Sequence, residues 1–280
     1  MKGLCPVGDK ARFSADLYHG TAEFYDRYRP PYPRAMLGDL VTRARRSEHG
    51  RLLDLGCGTG QLSFPLRRWF DEVWAVDQEP DMVNLVRTKA AAMGEEAHIR
   101  PVLSSAESLD VEPGYFELAV IGNAFHRLDR DAVARRVLDW LEPGGHLALC
   151  WSSSPWTGEE PWQITLAAAL DRWQVLLGAE QRIPDGWDVP RSHRPDLQVL
   201  AEAGFEVIGR QEVSREHRWS LLELAGYVRS TSFLPPSVLG EQADAFDADL
   251  ADGLRPFGEG GIFIETASFA YDLVRKPPAE

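Results

Sequence analysis

Residues 52–61, Leu-Leu-Asp-Leu-Gly-Cys-Gly-Thr-Gly-Gln, decide the fold of this 280-residue chain. An apolar run carries one acid, Asp54, and then glycines at three alternate positions, Gly56, Gly58 and Gly60. A strand that runs through a glycine turn into a helix brings a nucleotide close to the backbone. The dinucleotide fingerprint is G-x-G-x-x-G; here the third glycine comes one residue early. Asp54, two residues before the first glycine, disfavours a pyrophosphate over the turn and favours a ligand with a cationic amine. The phosphate-loop pattern fails, because no Gly-Lys-Ser/Thr follows.

Working outward, short apolar runs alternate with helical patterns. Strands are expected at 51–55, 72–77, 98–103, 116–121 and 146–151, with helices over 61–70, 80–93 and 129–141 and a turn at 142–145. Pro80 sits in the first turn of its helix and Gly94 stops it. A helix over 195–203, a strand at 205–212, helices over 218–254 broken at Pro235-Pro236, and a strand at 262–274 complete the pattern. This rhythm predicts an α/β fold: a doubly wound, mostly parallel, seven-stranded Rossmann-like sheet with helical cap segments. One domain over 1–280 is expected: an N-terminal lid at 1–34, a nucleotide-binding half at 40–150, a Trp-rich cap insertion at 151–195, and a substrate-side half at 196–280 with the closing strands.

A net charge of −13 makes a phosphate backbone a poor partner, so no nucleic acid is expected. No apolar run approaches the roughly 18 residues of a membrane span, so no membrane is expected either. The three cysteines, Cys5, Cys57 and Cys150, lie far apart and form no disulfide framework, which points to a reducing, cytoplasmic setting. Four lysines against 26 arginines fit a GC-rich bacterial genome. Histidines without metal spacing predict no metal site. A small molecule is the expected partner, with a homodimer left open.

A second acid, Asp77, ends the second strand 21 positions after Gly56, where a carboxylate accepts from both ribose hydroxyls. A nucleoside with an amino-acid tail satisfies Asp54 and Asp77 together; S-adenosyl-L-methionine (SAM) is such a molecule. The segments LLDLGCGTG, VWAVDQEPDM, SSAESL (104–109), FELAVIGNAFHRLD (116–129) and LEPGGHLAL (141–149) resemble, in order, the motifs of class I SAM-dependent methyltransferases. YDRYRPPYP (25–33) and RWSLLELAGYVRSTS (218–232) resemble a small-molecule branch that includes trans-aconitate-type enzymes.

The resemblance implies that the backbone of Gly56, Cys57 and Gly58 passes under the methionine portion, with Asp54 near its amino group. Asp77 and Gln78 would hold the ribose, Met82 would flank the adenine, and Ala106 and Glu107 would reach its exocyclic amine. Asn123 would face the methionine end, and Tyr25 and Arg29 its carboxylate. The aromatic segment 18–33 would close as a lid.

His126, at the carboxyl edge of the sheet, is the candidate base for a proton released during methyl transfer. Residues 151–195 hold five of the nine tryptophans, and Trp151, Trp156 and Trp162 are candidate substrate contacts. The expected function is transfer of a methyl group from SAM to a small metabolite, on O, N or C. The alternatives are a SAM-binding cyclase or decarboxylase without methyl transfer, and an NAD(P)-dependent oxidoreductase. No Tyr-x-x-x-Lys pair supports the oxidoreductase. Gly122-Asn123-Ala124-Phe125 lacks the two prolines of amino-methylating nucleic-acid enzymes.

Overall fold

The computed structural model describes residues 17–44, 47, 49–182, 189–258 and 260–279. Cys5, Trp187 and the first sixteen residues of the expected lid lie outside the described residues. The first half of the chain runs α1 (Ala22–Tyr28), α2 (Arg34–Ala44), β1 (Arg51–Leu55), α3 (Ser63–Leu66), β2 (Glu72–Asp77), α4 (Pro80–Met93), β3 (Ile99–Leu103), β4 (Phe116–Gly122), α5 (Arg130–Trp140) and β5 (Leu141–Ser152). The second half adds α6 (Pro161–Leu176), α7 (Val189–His193), α8 (Asp196–Ala203), β6 (Glu206–Ser220), α9 (Leu221–Arg229), α10 (Pro236–Leu239), α11 (Ala243–Leu254) and β7 (Ile262–Arg275).

The seven strands form one sheet in the order β3-β2-β1-β4-β5-β7-β6. β1 to β5 are parallel; β7 runs antiparallel to both of its neighbours, β5 and β6. Strand residues alternate between two apolar layers because successive side chains point to opposite faces. Leu52, Val73, Leu118 and Ala148 join α2 and α4 on one face, and Leu53, Trp74, Ala119 and Leu147 join α5 and α8 on the other. Strand order reverses between β1 and β4, the place where ligands bind in open α/β sheets.

Three elements depart from the sequence pattern. The helix expected over 61–70 is only α3 followed by a 3-10 turn, Arg67–Trp69. Pro65 supplies no N–H, and the Arg67 guanidinium donates to the Phe64 carbonyl that a longer helix would use. The expected turn at 142–145 is absorbed into β5 as an irregularity, since Phe116 pairs with Leu141 while Leu118 pairs with His146. The strand expected at 205–212 continues to Ser220, paired throughout with β7.

A third apolar cluster lies outside the sheet layers. Trp162, Leu166, Leu170 and Trp173 of α6 meet Leu224 and Tyr227 of α9, Phe246 and Leu250 of α11, and Trp219 and Phe263 at the extended ends of β6 and β7. The Trp-rich stretch and the last third of the chain therefore share one cap core. No helix among the described residues is long and apolar enough to cross a membrane.

Candidate functional site

The carboxyl ends of β1, β2, β4 and β5 open into one cleft, roofed by residues 18–32. Its two compartments, about 410 and 690 Å³, share Tyr25, Gly56, Gly122 and Asn123. Gly58 and Gly60 have φ of +54° and +82°, a region that side-chain-bearing residues disfavour. A Cβ on Gly60 would also lie 2.6 Å from the Phe64 ring. The early third glycine thus serves close packing of the turn on α3.

Four of the turn's five amides donate inside the protein. The N–H groups of Gly56 and Cys57 donate to the Val76 carbonyl (2.8 and 3.0 Å), and that of Gly60 to the Cys57 carbonyl (2.9 Å). Gly58 N–H donates to Asp77 Oδ2 (2.8 Å), and Ser63 N–H, at the start of α3, to Asp54 Oδ2 (2.9 Å). A pyrophosphate over this turn would find these five donors taken and two carboxylates beside it.

Asp54 marks the smaller compartment and Asp77 the larger. Asp54 is 1% exposed, and burial pushes its pKa from 3.8 to about 7, against the lowering effect of the Ser63 hydroxyl and N–H. Burial raises Asp77 too, opposed by the N–H groups of Glu79, Gly58 and Gln78. Around Asp77 lie Gln78, Met82, Ser104, Ser105 and Ala106. Around Asp54 lie Arg29, Cys57, Gln61, Tyr32 and Ser152.

Arg29 is sandwiched between the rings of Tyr25 (4.7 Å) and Tyr227 (4.4 Å). It donates to Ser230 Oγ, Tyr227 Oη and the Ser230 carbonyl, so three of its five N–H donors are fixed by α9 and its cap. Burial drives the Tyr25 hydroxyl up to about 12, with Arg29 pulling the other way. Asn123 holds φ at +49° because its amide closes a small network: Nδ2 donates to Ser152 Oγ (2.8 Å) and Tyr32 Oη (3.3 Å), and Oδ1 accepts from Ser152 N–H (3.2 Å).

Tyr25, Arg29, Asp54, Gly56, Cys57, Gly58, Asp77, Gln78, Met82, Ala106 and Asn123 are thus brought to one cleft. Glu107 is not: its exposed side chain turns away to accept the N–H of Asp129 ahead of α5 (3.1 Å). Ser104 and Ser105 line the cleft beside Ala106 instead. Sequence reasoning also passed over Tyr18, Tyr32, Gln61, Glu79, Arg127 and Ser152. Tyr18 and Tyr32 stood within the aromatic lid segment; Gln61 and Glu79 directly adjoined motif residues.

His126 and the tryptophans need correction. His126 is not among the residues lining the cleft; its ring packs 6.1 Å from that of Trp151, and Nε2 accepts from Arg127 Nε (3.1 Å). Burial, with Arg127, Arg191 and Arg130 nearby, depresses its pKa to about 3, so it is a neutral imidazole and a poor base. Trp151 donates to Asp272 Oδ2 and carries the Arg191 guanidinium over its ring. Trp156 packs edge-on to Tyr227 and Phe233, and Trp162 is 5% exposed against Phe263. All three are structural anchors of the cap and the sheet edge, and none lines either compartment.

Residues 52–145 match the model of a methyltransferase domain family. An uncharacterized methyltransferase of Mycobacterium tuberculosis is 33% identical over 129 residues, 46% of this chain and 49% of that protein. The methyltransferase tpcH of Aspergillus fumigatus is 25% identical over 231 residues, 75% of this chain and 79% of that one. The chain spans about half the length of the first curated relatives it matches, 49%. Among solved structures, a protein of Anaeromyxobacter dehalogenans assigned as a type II methyltransferase aligns with TM-score 0.60 and 22% identity, over 90% of this chain and all (100%) of that one. The [4+2]-cyclase SpnF aligns with TM-score 0.53 and 19% identity, over 88% of this chain and 82% of that one. At such identities these structures speak to the fold, and it is the family match over the glycine turn, both acids and β4 that identifies residues 52–145 as a class I SAM-dependent methyltransferase domain.

Proposed function

We propose that the chain is an enzyme that binds SAM in the cleft between β1 and β4 and transfers its methyl group to a small-molecule metabolite. One observation carries this reading: four of the five amides of the glycine turn, those of Gly56, Cys57, Gly58 and Gly60, donate inside the protein, while a buried and a half-buried carboxylate stand at its two ends. That donor set fits an amine at one end and a vicinal diol at the other, and leaves no cradle for the pyrophosphate of a dinucleotide.

When bound, SAM supplies a methyl group already activated by its sulfonium. The chain's own task is then alignment and exclusion of water. Asp54 takes the ammonium, Asp77 and Gln78 the ribose, and Met82 with Ser104–Ala106 the adenine. The two uncommitted N–H donors of Arg29 serve the carboxylate. Asn123, locked by Ser152 and Tyr32, fixes the wall beside the methionine end. Tyr25 and Tyr32 close the roof against water. Holding reactants in line is worth roughly 7–11 kcal/mol, so a cleft without a general base is sufficient for an acceptor that arrives deprotonated.

A small acceptor is supported by the narrow, roofed cleft and by the net charge of −13, which opposes a polyanionic one. Titration calorimetry with SAM, S-adenosylhomocysteine and NADH tests the cofactor, and an acceptor screen with methyl-labelled SAM tests the transfer. Binding of the two sulfur nucleosides, lost in Asp77→Ala, is the expected result. Binding of NADH alone would overturn it.

A further inference from the structure

Glu79 is the unexplained carboxylate of the cleft. It occupies the position before α4, where Ser, Thr, Asp or Asn usually caps a helix, yet its side chain makes no cap bond. A short capping residue here would stabilise α4, which this glutamate does not do. The residue is 4% exposed and lines the larger compartment beside Asp77, Gln78 and Met82. Burial raises the Glu79 carboxyl, and the backbone N–H of Tyr18, at the start of the lid, pulls it the other way. Oε1, by contrast, is buried and has no hydrogen-bond partner among the described residues. A buried acceptor without a donor is costly, so it marks a place where a donor is expected to arrive.

The donor comes from the cleft. Asp77 Oδ1 already accepts the N–H of Glu79 (3.0 Å) and Oδ2 that of Gly58 (2.8 Å), and the Gln78 N–H also acts on this carboxylate, so Asp77 has little acceptor capacity left for two further donors. The two carboxylates stand two residues apart on the same side of one compartment. The nucleoside group that offers two adjacent O–H donors is the ribose diol, whereas the adenine amine is assigned to Ser104–Ala106, which follow β3 beside Asp77.

We propose that Glu79 is a second ribose-binding carboxylate, which accepts a hydroxyl of the diol on Oε1. This rests on the SAM reading above and extends it: a diol shared between two carboxylates selects for a free ribose and against one carrying a 2′- or 3′-phosphate.

The test is calorimetric titration of wild type, Asp77→Ala, Glu79→Ala and Glu79→Gln with S-adenosylhomocysteine and with its 2′,3′-dideoxy analogue, after ligand-free melting of each variant. Glu79→Ala is expected to weaken S-adenosylhomocysteine about tenfold or more while leaving the dideoxy analogue unchanged. Glu79→Gln, which keeps the shape and one acceptor oxygen, falls between. Equal weakening of both ligands overturns the proposal, because Glu79 would then act through α4 or Tyr18 alone. So does no weakening at all. Should Glu79→Ala not fold, Glu79→Gln decides by the same comparison of the two ligands. If wild type binds no S-adenosylhomocysteine, both this inference and the cofactor reading fall; if only Asp77→Ala loses it, the inference falls and the cofactor reading stands.

Discussion

Gly58 donates its N–H to Asp77 Oδ2 across 2.8 Å, so the turn after β1 and the end of β2 share one half-buried carboxylate. The acid proposed to face the ribose thus also holds the shape of the loop beside it. Asp77→Asn is therefore expected to act twice, because its amide nitrogen would meet the Gly58 donor or force a flip that spends the remaining oxygen. We expect a loss of S-adenosylhomocysteine affinity of about tenfold or more, together with a lower melting temperature of the ligand-free protein. Loss of affinity with an unchanged melting temperature would separate the two roles and refute the shared one.

If Asp54 takes the ammonium as proposed, ligand binding is expected to be pH-dependent. Its carboxyl is raised by burial from 3.8 to about 7 in the free protein, and an ammonium beside it would favour the charged form. Binding below pH 7 therefore releases a proton, and affinity should fall by up to about tenfold per pH unit there and level off above. Because the folded value lies above the unfolded one, Asp54's contribution to folding stability is complete below about 3.8 and is lost as pH rises through about 7. Calorimetry at pH 6 in buffers of different ionisation enthalpy reads the proton directly. A buffer-independent heat would mean that Asp54 does not meet the cation.

The sheet was legible in the sequence because β1 to β5 are buried runs bounded by turn residues, and the acids at the ends of β1 and β2 kept register with the glycines. What was not legible had tertiary causes. The Glu107 side chain is drawn out of the cleft by a long-range bond with the N–H of Asp129, and Glu79, which stands ahead of α4, carries no motif signal of its own. The tryptophans read as a ligand wall because an aromatic in sequence looks the same whether it faces a cavity or anchors α6 on α11. His126 carried the right spacing from β4, but spacing does not report that three arginines surround it.

That environment makes a direct prediction for His126. A half-buried imidazole that accepts from Arg127, with its pKa lowered by burial and three nearby arginines, is expected to contribute packing rather than proton transfer. His126→Asn should keep the turnover rate within about threefold, with no shift in the pH–rate profile near 6.5, whereas removal of a working general base costs about 10²–10⁴-fold. A drop of that size, with loss of the limb near 6.5, would restore His126 as the base.

Trp162 makes the matching prediction for the cap. Its indole donates to the Ile264 carbonyl (3.3 Å) and packs on Phe263, joining α6 to β7 away from the cleft. Trp162→Ala should destabilise the fold by about 3–5 kcal/mol. Trp162→Phe, which keeps most of the apolar volume, should lower the melting temperature modestly and leave the acceptor KM unchanged. A raised KM in the folded Trp162→Phe protein would place the indole at the substrate.

The lid is tied down by Lys89 of α4. Its ammonium reaches the Thr59 carbonyl of the glycine turn (2.8 Å) and the carboxylate of Asp26 in α1, and it lies 4.5 Å over the Phe64 ring. One side chain thus connects the roof, the turn and the helix behind it, without lining either compartment. Lys89→Met keeps the apolar stem and removes the charge that holds α1 down. The lid should then open more often, and S-adenosylhomocysteine should leave about three- to tenfold faster in stopped-flow displacement. Since Lys89 touches no ligand, association should slow little or not at all, and affinity should fall by the same factor as release quickens. Release at the wild-type rate would mean that α1 is held by Tyr28 against Gly226 and by Arg29 on Ser230, with the Lys89 bridge contributing nothing to closure.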